Sequence, residues 1–313
     1  MFQELILICV VCIPVVGSIV LFFSFFSGGI MSKIAIITDS TAYLHAETVA
    51  QYGIHVLPLK VHWDGETYRD NVDLHPQEFY QRLVHAANLP TTSQPSAQEF
   101  LNLFEEIAPQ AESVLAILIS SGISGTVDSA MSAAQEFNRI PLMVIDSKLT
   151  SIGLALCVQR AAQLAESGAT FEDVTQQVSR IAAGVRTFFV VDTLKYLHKG
   201  GRIGGASRYL GAVLKIKPIL TLTVSGHIDG LEKVRTKKKA LQQVINLAQK
   251  EAGDQPVVAG LAHANDPETA SQFADLVRHS LNCKELHQYE LSPVIGTHVG
   301  PGTLGLAFYI DPA

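Results

Sequence analysis

Residues 113–126 read SVLAILISSGISGT. Ser113 to Ile119 is short enough for a strand and apolar enough to be buried on both faces. It empties into a loop of hydroxyls and glycines, Ser120 to Thr126, and a helical pattern then runs on to Phe137. Strand, polar loop and helix in succession is the unit of a parallel sheet with helices on its faces. The unit recurs on either side. Residues 33–38 (KIAIIT) end in Asp39-Ser40-Thr41, and Ile54–Trp63 is a second strand candidate. Pro76–Ala87 carries Phe79, Tyr80, Leu83 and Ala87 at helical spacing. A polar loop over residues 90–95 leads to Ser96, which with Glu99 forms a capping box for the helix bearing Phe100, Leu103, Phe104 and Ile107. Pro141–Ile145 is a further strand, closed by Asp146-Ser147. Helices from Ser151 to Glu166 and from Phe171 to Ala183 follow. Residues 31–186 are expected to form an α/β domain around this sheet.

From Thr187 the grammar changes. Strand-like runs at Phe188–Val191, Ile216–Val224, Val257–Ala262, Glu285–Leu291 and Leu304–Ile310 are separated by two helices, Thr236–Lys250 and Pro267–Ser280. Ser225-Gly226-His227 has the composition of a hairpin turn. These runs predict a second, α+β domain over 187–313 with a mixed or antiparallel sheet.

The 313 residues, 48% of them apolar, suffice for two cores. A net charge of −6 argues against a general nucleic-acid partner. Cys9 and Cys12 lie in an apolar N-terminal run; Cys157 and Cys283 read as reduced, buried thiols of a cytoplasmic protein. No metal or cofactor is expected. Leu5–Phe26 is long and apolar enough to span a bilayer, and Lys33 follows it. Gly28-Gly29-Ile30 can equally be a translated ribosome-binding site ahead of Met31. Residues 1–30 are thus expected to be either a mis-assigned start or a membrane anchor.

Four hydroxyl- and glycine-rich segments follow strands or open helices: Asp39-Ser40-Thr41, Thr91-Thr92-Ser93, Ser120 to Thr126, and Gly296 to Thr303. Strand ends and helix N-termini of this kind attract anions. Ser124 with Thr92 is read as ligand-binding, whereas Ser40 and Ser96 are read as helix caps. His298 sits among glycines that suit close approach of a ligand; His263 reads as a strand-end residue. Lys199-Gly200-Gly201-Arg202-Ile203-Gly204-Gly205, followed by Lys215 and Lys217, combines backbone freedom with positive charge. Lys237, Lys238 and Lys239 after Arg235 oppose a helix dipole, which an anionic partner would explain. Zinc-protease and Walker signatures are absent, and Gly122-Ile123-Ser124-Gly125 lacks nucleophile-elbow spacing. A binding protein whose ligand is modified elsewhere fits better than a self-sufficient enzyme. The rival reading is a stand-alone phosphotransferase or hydrolase using Asp39.

Eight motifs in order resemble the DegV family of bacterial fatty-acid-binding proteins. They are Thr38 to Thr41, Thr92 to Ser96, Ser120 to Thr126, Asp146-Ser147, Lys199 to Ile203, Lys215 to Pro218, Val234 to Lys237, and His298 to Gly302. The resemblance covers residues 33–310. The resemblance implies two domains with a long-chain fatty acid between them and its carboxylate held by Thr92, Ser124 and His298. It implies a separate kinase subunit that phosphorylates the carboxylate with ATP, giving an acyl-phosphate for phospholipid synthesis. It associates Arg202 and Arg235 with that step or with docking the kinase.

Overall fold

The computed structural model describes residues 34–211 and 216–311. The apolar N-terminal run with Cys9 and Cys12, the start at Met31, and Lys215 lie outside the described residues. Strands His55–Leu57, Ile34–Asp39, Ser113–Leu118 and Leu142–Asp146 pair in that order, all parallel. Ser113–Leu118 is buried throughout, and alternate residues serve different cores. Val114, Ala116 and Leu118 share a core with Phe100, Phe104 and Val127 of helices Ala97–Ile107 and Thr126–Glu136. Leu115 and Ile117 share another with Leu154 and Val158 of helix Ser151–Glu166. This is the period-2 alternation of a strand covered on both faces.

The second sheet runs Ile228–Val234, Lys217–Leu222, Arg186–Val190, Leu304–Ile310, Val257–His263, Cys283–Glu290. Only the last pair is parallel, so the sheet is mixed. Val190 and Phe308 pack with Val244 and Phe273 of helices Lys237–Ala252 and Pro267–Ser280. Ala307 and Tyr309, on the opposite face, share the central core with Cys157 and Ala161. Helix Ser151–Glu166 is therefore wedged between the two sheets, which is why its apolar residues run almost all the way round it.

Several boundaries differ from those expected. Ile54–Trp63 is two strands in two sheets. His55–Leu57 belongs to the parallel sheet, while Lys60–Trp63 pairs antiparallel with Glu66–Arg69 and Thr91–Ser93. Pro58 stands at the break, where its missing N–H cannot continue a ladder. The expected loop at 90–95 thus contains a strand. Ile228–Val234, not anticipated, completes the hairpin around Ser225-Gly226-His227. The expected glycine loop at Gly296–Thr303 begins instead inside a helix, Pro293–Val299, with proline in its first turn. Cys157 is a buried free thiol, but Cys283 is only half-buried. Among the described residues no helix is long and apolar enough to cross a membrane.

Candidate ligand-binding site

A narrow slot opens at the carboxyl ends of the parallel strands, where open α/β sheets take their ligands. Leu59, Ile119, Ile123, Ile228, Val294, Ile295 and Val299 form its apolar lining. Thr92, Ser93, Gln94, Ser124, Thr150, Arg202 and His298 form its polar lining. The empty space between atoms is about 550 Å³, of which only about 60 Å³ is wide enough for the centre of a water molecule. By that same measure a neighbouring cleft is far roomier, at about 540 Å³. That cleft is lined by residues 87–92 with Tyr196, Lys199, Gly200, Arg202, Thr297 and His298. Thr92, Arg202 and His298 line both spaces and form the wall between them.

Thr92 lies on the short strand Thr91–Ser93 and His298 on helix Pro293–Val299, yet Thr92 Oγ1 and His298 Nε2 are 2.8 Å apart and hydrogen-bonded. Burial, and then the Arg202 charge, push the imidazole down to about 4, so it is neutral at pH 7. Its Nδ1 is buried and makes no hydrogen bond among the described residues. It rests against Gly200, where a Cβ would come within 2.2 Å of that nitrogen. Gly200 is thus required by the imidazole, and Gly201 by its own positive φ of 69°. Arg202 spans the gap to the opposite loop, donating from Nε to the Ile123 carbonyl (3.1 Å) and from Nη1 to the Gly200 carbonyl (2.9 Å).

Ser124 precedes helix Thr126–Glu136, and its hydroxyl lies 2.8 Å from Thr126 Oγ1. Its loop is fastened where it leaves the strand. Ser120 Oγ donates to the Gly226 carbonyl at 2.9 Å, and the Ser121 N–H donates to Asp146 at 3.1 Å. Thr92, Ser124, His298 and Arg202 therefore meet in one slot. Arg235 does not: it is exposed just past strand Ile228–Val234 and lines neither space. Lys237 finds its anion inside the protein, donating to Asp266 and to the Gly302 carbonyl, each at 2.6 Å.

Asp39 is fully buried. It accepts from Ile119 N–H (2.7 Å), Thr41 N–H (3.0 Å) and Thr41 Oγ1 (2.6 Å), and burial raises its pKa. It lines neither space. Ser40 is not a cap as expected; its hydroxyl donates to Asp70 at 2.7 Å. Ser96 and Glu99 form the expected capping box, and His263 ends strand Val257–His263. The glycines around His298 serve packing more than ligand approach: a Cβ at Gly296 would meet Phe79 and Tyr80 at 2.7 Å. Sequence reasoning missed Leu59, Ile228, Val294 and Asp70. Asp70 stands in a turn with Asp73, and only the fold separates the buried acid from the exposed one. Among the described residues no three His, Cys, Asp or Glu side chains are grouped to hold a metal ion.

Residues 33–311 match the sequence model described as "Uncharacterised protein, DegV family". A DegV domain-containing protein of Halalkalibacterium halodurans is 40% identical over 283 residues, 90% of this chain and 100% of that protein. Among solved structures, a DegV family protein of Thermus thermophilus, described as fatty-acid binding, superposes with a TM-score of 0.85 at 35% identity. The match covers 89% of this chain and 99% of that one. A stearic-acid-binding protein of Eubacterium ventriosum gives 0.82 at 28% identity over 88% and 98% of the two chains. Helix-wedged sheets, a slot at the strand ends and a match along nearly the whole described length lead to one conclusion: this chain belongs to the DegV family.

Proposed function

We propose that this protein holds a long-chain fatty acid, tail in the apolar slot and carboxylate at the wall formed by Thr92, Ser124 and His298. It presents that carboxylate to a separate kinase subunit. A carboxylate oxygen attacks the terminal phosphorus of ATP on the kinase, ADP leaves, and an acyl-phosphate for phospholipid synthesis results. No nucleophile from this chain enters the step. Because that partner uses ATP, the reading includes a cytoplasmic location. The carrying observation is the Thr92–His298 pair, which stands between a narrow apolar slot and an open cleft with Lys199 and Arg202 on its rim. Neutral donors can hold an anion without neutralising it, which leaves the carboxylate oxygen available to react. The fatty-acid binding of the structural relatives supports the same reading.

Burying a sixteen-carbon tail at about 0.8 kcal/mol per methylene is worth on the order of 10 kcal/mol before entropy costs. The slot's 60 Å³ of water-wide space holds only a few waters at about 10–15 Å³ each, so the apolar side chains must turn aside for the tail. Mass spectrometry of lipid extracted from the purified protein tests the ligand. A fatty acid at near-stoichiometric yield is expected, and lipid-free protein that also fails to take up palmitate rejects the reading. Thr92→Ala with Ser124→Ala removes two hydroxyls from the head-group wall. At about 1.5 kcal/mol or more per hydrogen bond to a charged group, palmitate affinity should fall at least a hundredfold. Unchanged affinity sinks the assigned wall.

A further inference from the structure

Asp70 lines neither the slot nor the cleft, and it is only 1% exposed. No cationic side chain pairs with it among the described residues. The hydrogen bonds of its side chain tie together segments that lead into the slot. Its Oδ2 accepts from Ser40 Oγ and from Ser292 Oγ, each at 2.7 Å. Its Oδ1 accepts from the Val294 N–H at 3.0 Å, in the first turn of helix Pro293–Val299. Its own N–H donates to the Leu59 carbonyl at 2.9 Å, and the Leu59 N–H donates back to Ser40 Oγ at 3.1 Å. Leu59 leads directly into strand Lys60–Trp63, which pairs with the strand carrying Thr92. Val294 opens the helix that carries His298.

An unpaired buried carboxylate is costly, and replacing such groups with apolar ones is often neutral for stability. What a fully satisfied buried network supplies is a single arrangement of the elements it joins. Thr92 and His298 are 206 positions apart and share no element, so their meeting depends on how the helix sits against the strand. We propose that Asp70 is a positioning residue, clamping helix Pro293–Val299 to the Leu59 segment so that His298 meets Thr92 at the mouth of the slot. The proposal rests on the reading of that mouth as a carboxylate site.

Asp70→Asn keeps the size and removes the charge. Palmitate affinity of the variant is compared with wild type, alone and combined with His298→Ala. Asp70→Asn is expected to weaken binding at least tenfold. Adding His298→Ala should then cost less than twofold, because the imidazole is already misplaced; such non-additivity marks coupled residues. Binding within twofold of wild type, or losses that multiply in full, overturns the proposal. Val277→Ala, in the core beneath helix Pro267–Ser280, supplies a matched loss of melting temperature and is expected to leave binding unchanged. An equal loss of affinity in that variant also overturns it. If Asp70→Asn does not fold, Ser292→Ala, which removes one of the three donors to the clamp, is read by the same criteria.

A second readout needs no lipid. The His298 imidazole, followed by NMR, should titrate near its buried value in wild type and nearer to a free imidazole in Asp70→Asn. Identical titrations overturn the clamp. Wild-type protein that binds no palmitate overturns the carboxylate site instead, and the imidazole titration then decides Asp70 by itself.

Discussion

His298 and Asp70 are both buried out of reach of an opposite charge, and burial moves them in opposite senses. The imidazole is pushed down to about 4 and the carboxyl up to about 6. As pH falls from 6.5 to 4, the unfolded chain takes up a proton on His298 that the folded protein refuses. Stability drains by up to about 3 kcal/mol. Over nearly the same window folded Asp70 is protonated before its unfolded counterpart, which adds a similar amount, up to about 3 kcal/mol. The two offset each other in the wild type. His298→Asn is therefore expected to become more stable from pH 6.5 to 4.5, whereas Asp70→Asn, which releases the imidazole toward its ordinary titration, should change little. Urea midpoints at the two pH values check this; equal shifts in both variants contradict it. Residue type and context alone singled out the hydroxyls at 92 and 124, and the fold brings both to the slot. They did not single out Asp70, because a carboxylate in a turn reads as solvated unless its surroundings are known.

At the scale of elements, the strands with clean alternation and the long helices were legible. Ser151–Glu166 and Leu304–Ile310 have the bounds expected from their patterns. The three-residue strand Thr91–Ser93 and the seven-residue helix Pro293–Val299 were not. Thr91–Ser93 exists because Lys60–His62 lies alongside it, and Pro293–Val299 because Asp70, Phe79 and Tyr80 receive it. Segments this short carry too little intrinsic preference to fold alone, and tertiary contacts override propensity. The turn at Gly200 shows how tightly two such elements are set together. Gly200→Ala adds one methyl group and takes away no polar atom. It should nevertheless displace the imidazole and weaken palmitate binding about tenfold or more, since overpacking of this kind typically costs about 1–3 kcal/mol. Affinity and thermal unfolding measured on the same samples separate that effect from general destabilisation; undiminished affinity refutes it.

At the scale of the molecule, the two sheets share one helical layer, and the slot lies where loops from both come together. Arg202 is the charged bridge across that junction, reaching the Ile123 carbonyl from the Gly200 turn while facing the outer cleft. If the proposed phosphorylation takes place at this mouth, its guanidinium is the nearest positive charge shared by slot and cleft. Arg202→Ala should leave palmitate affinity within about threefold, the loss of roughly one exposed hydrogen bond of about 0.5 kcal/mol. Acyl-phosphate formation with a cognate kinase and ATP should fall at least tenfold, and full activity would remove Arg202 from that step.

Read without coordinates, the chain already determined its α/β class, its two sheet types, the long helices and a set of hydroxyls, glycines and a histidine suited to an anion. These follow from periodicity and residue chemistry within contiguous stretches. Only the tertiary structure decided that Thr92 faces His298, that Arg235 stands apart, that Asp39 is sealed in and that Asp70 joins three segments. Those outcomes depend on closing contacts across tens to hundreds of residues, and no local pattern encodes which distant side chain will be waiting there.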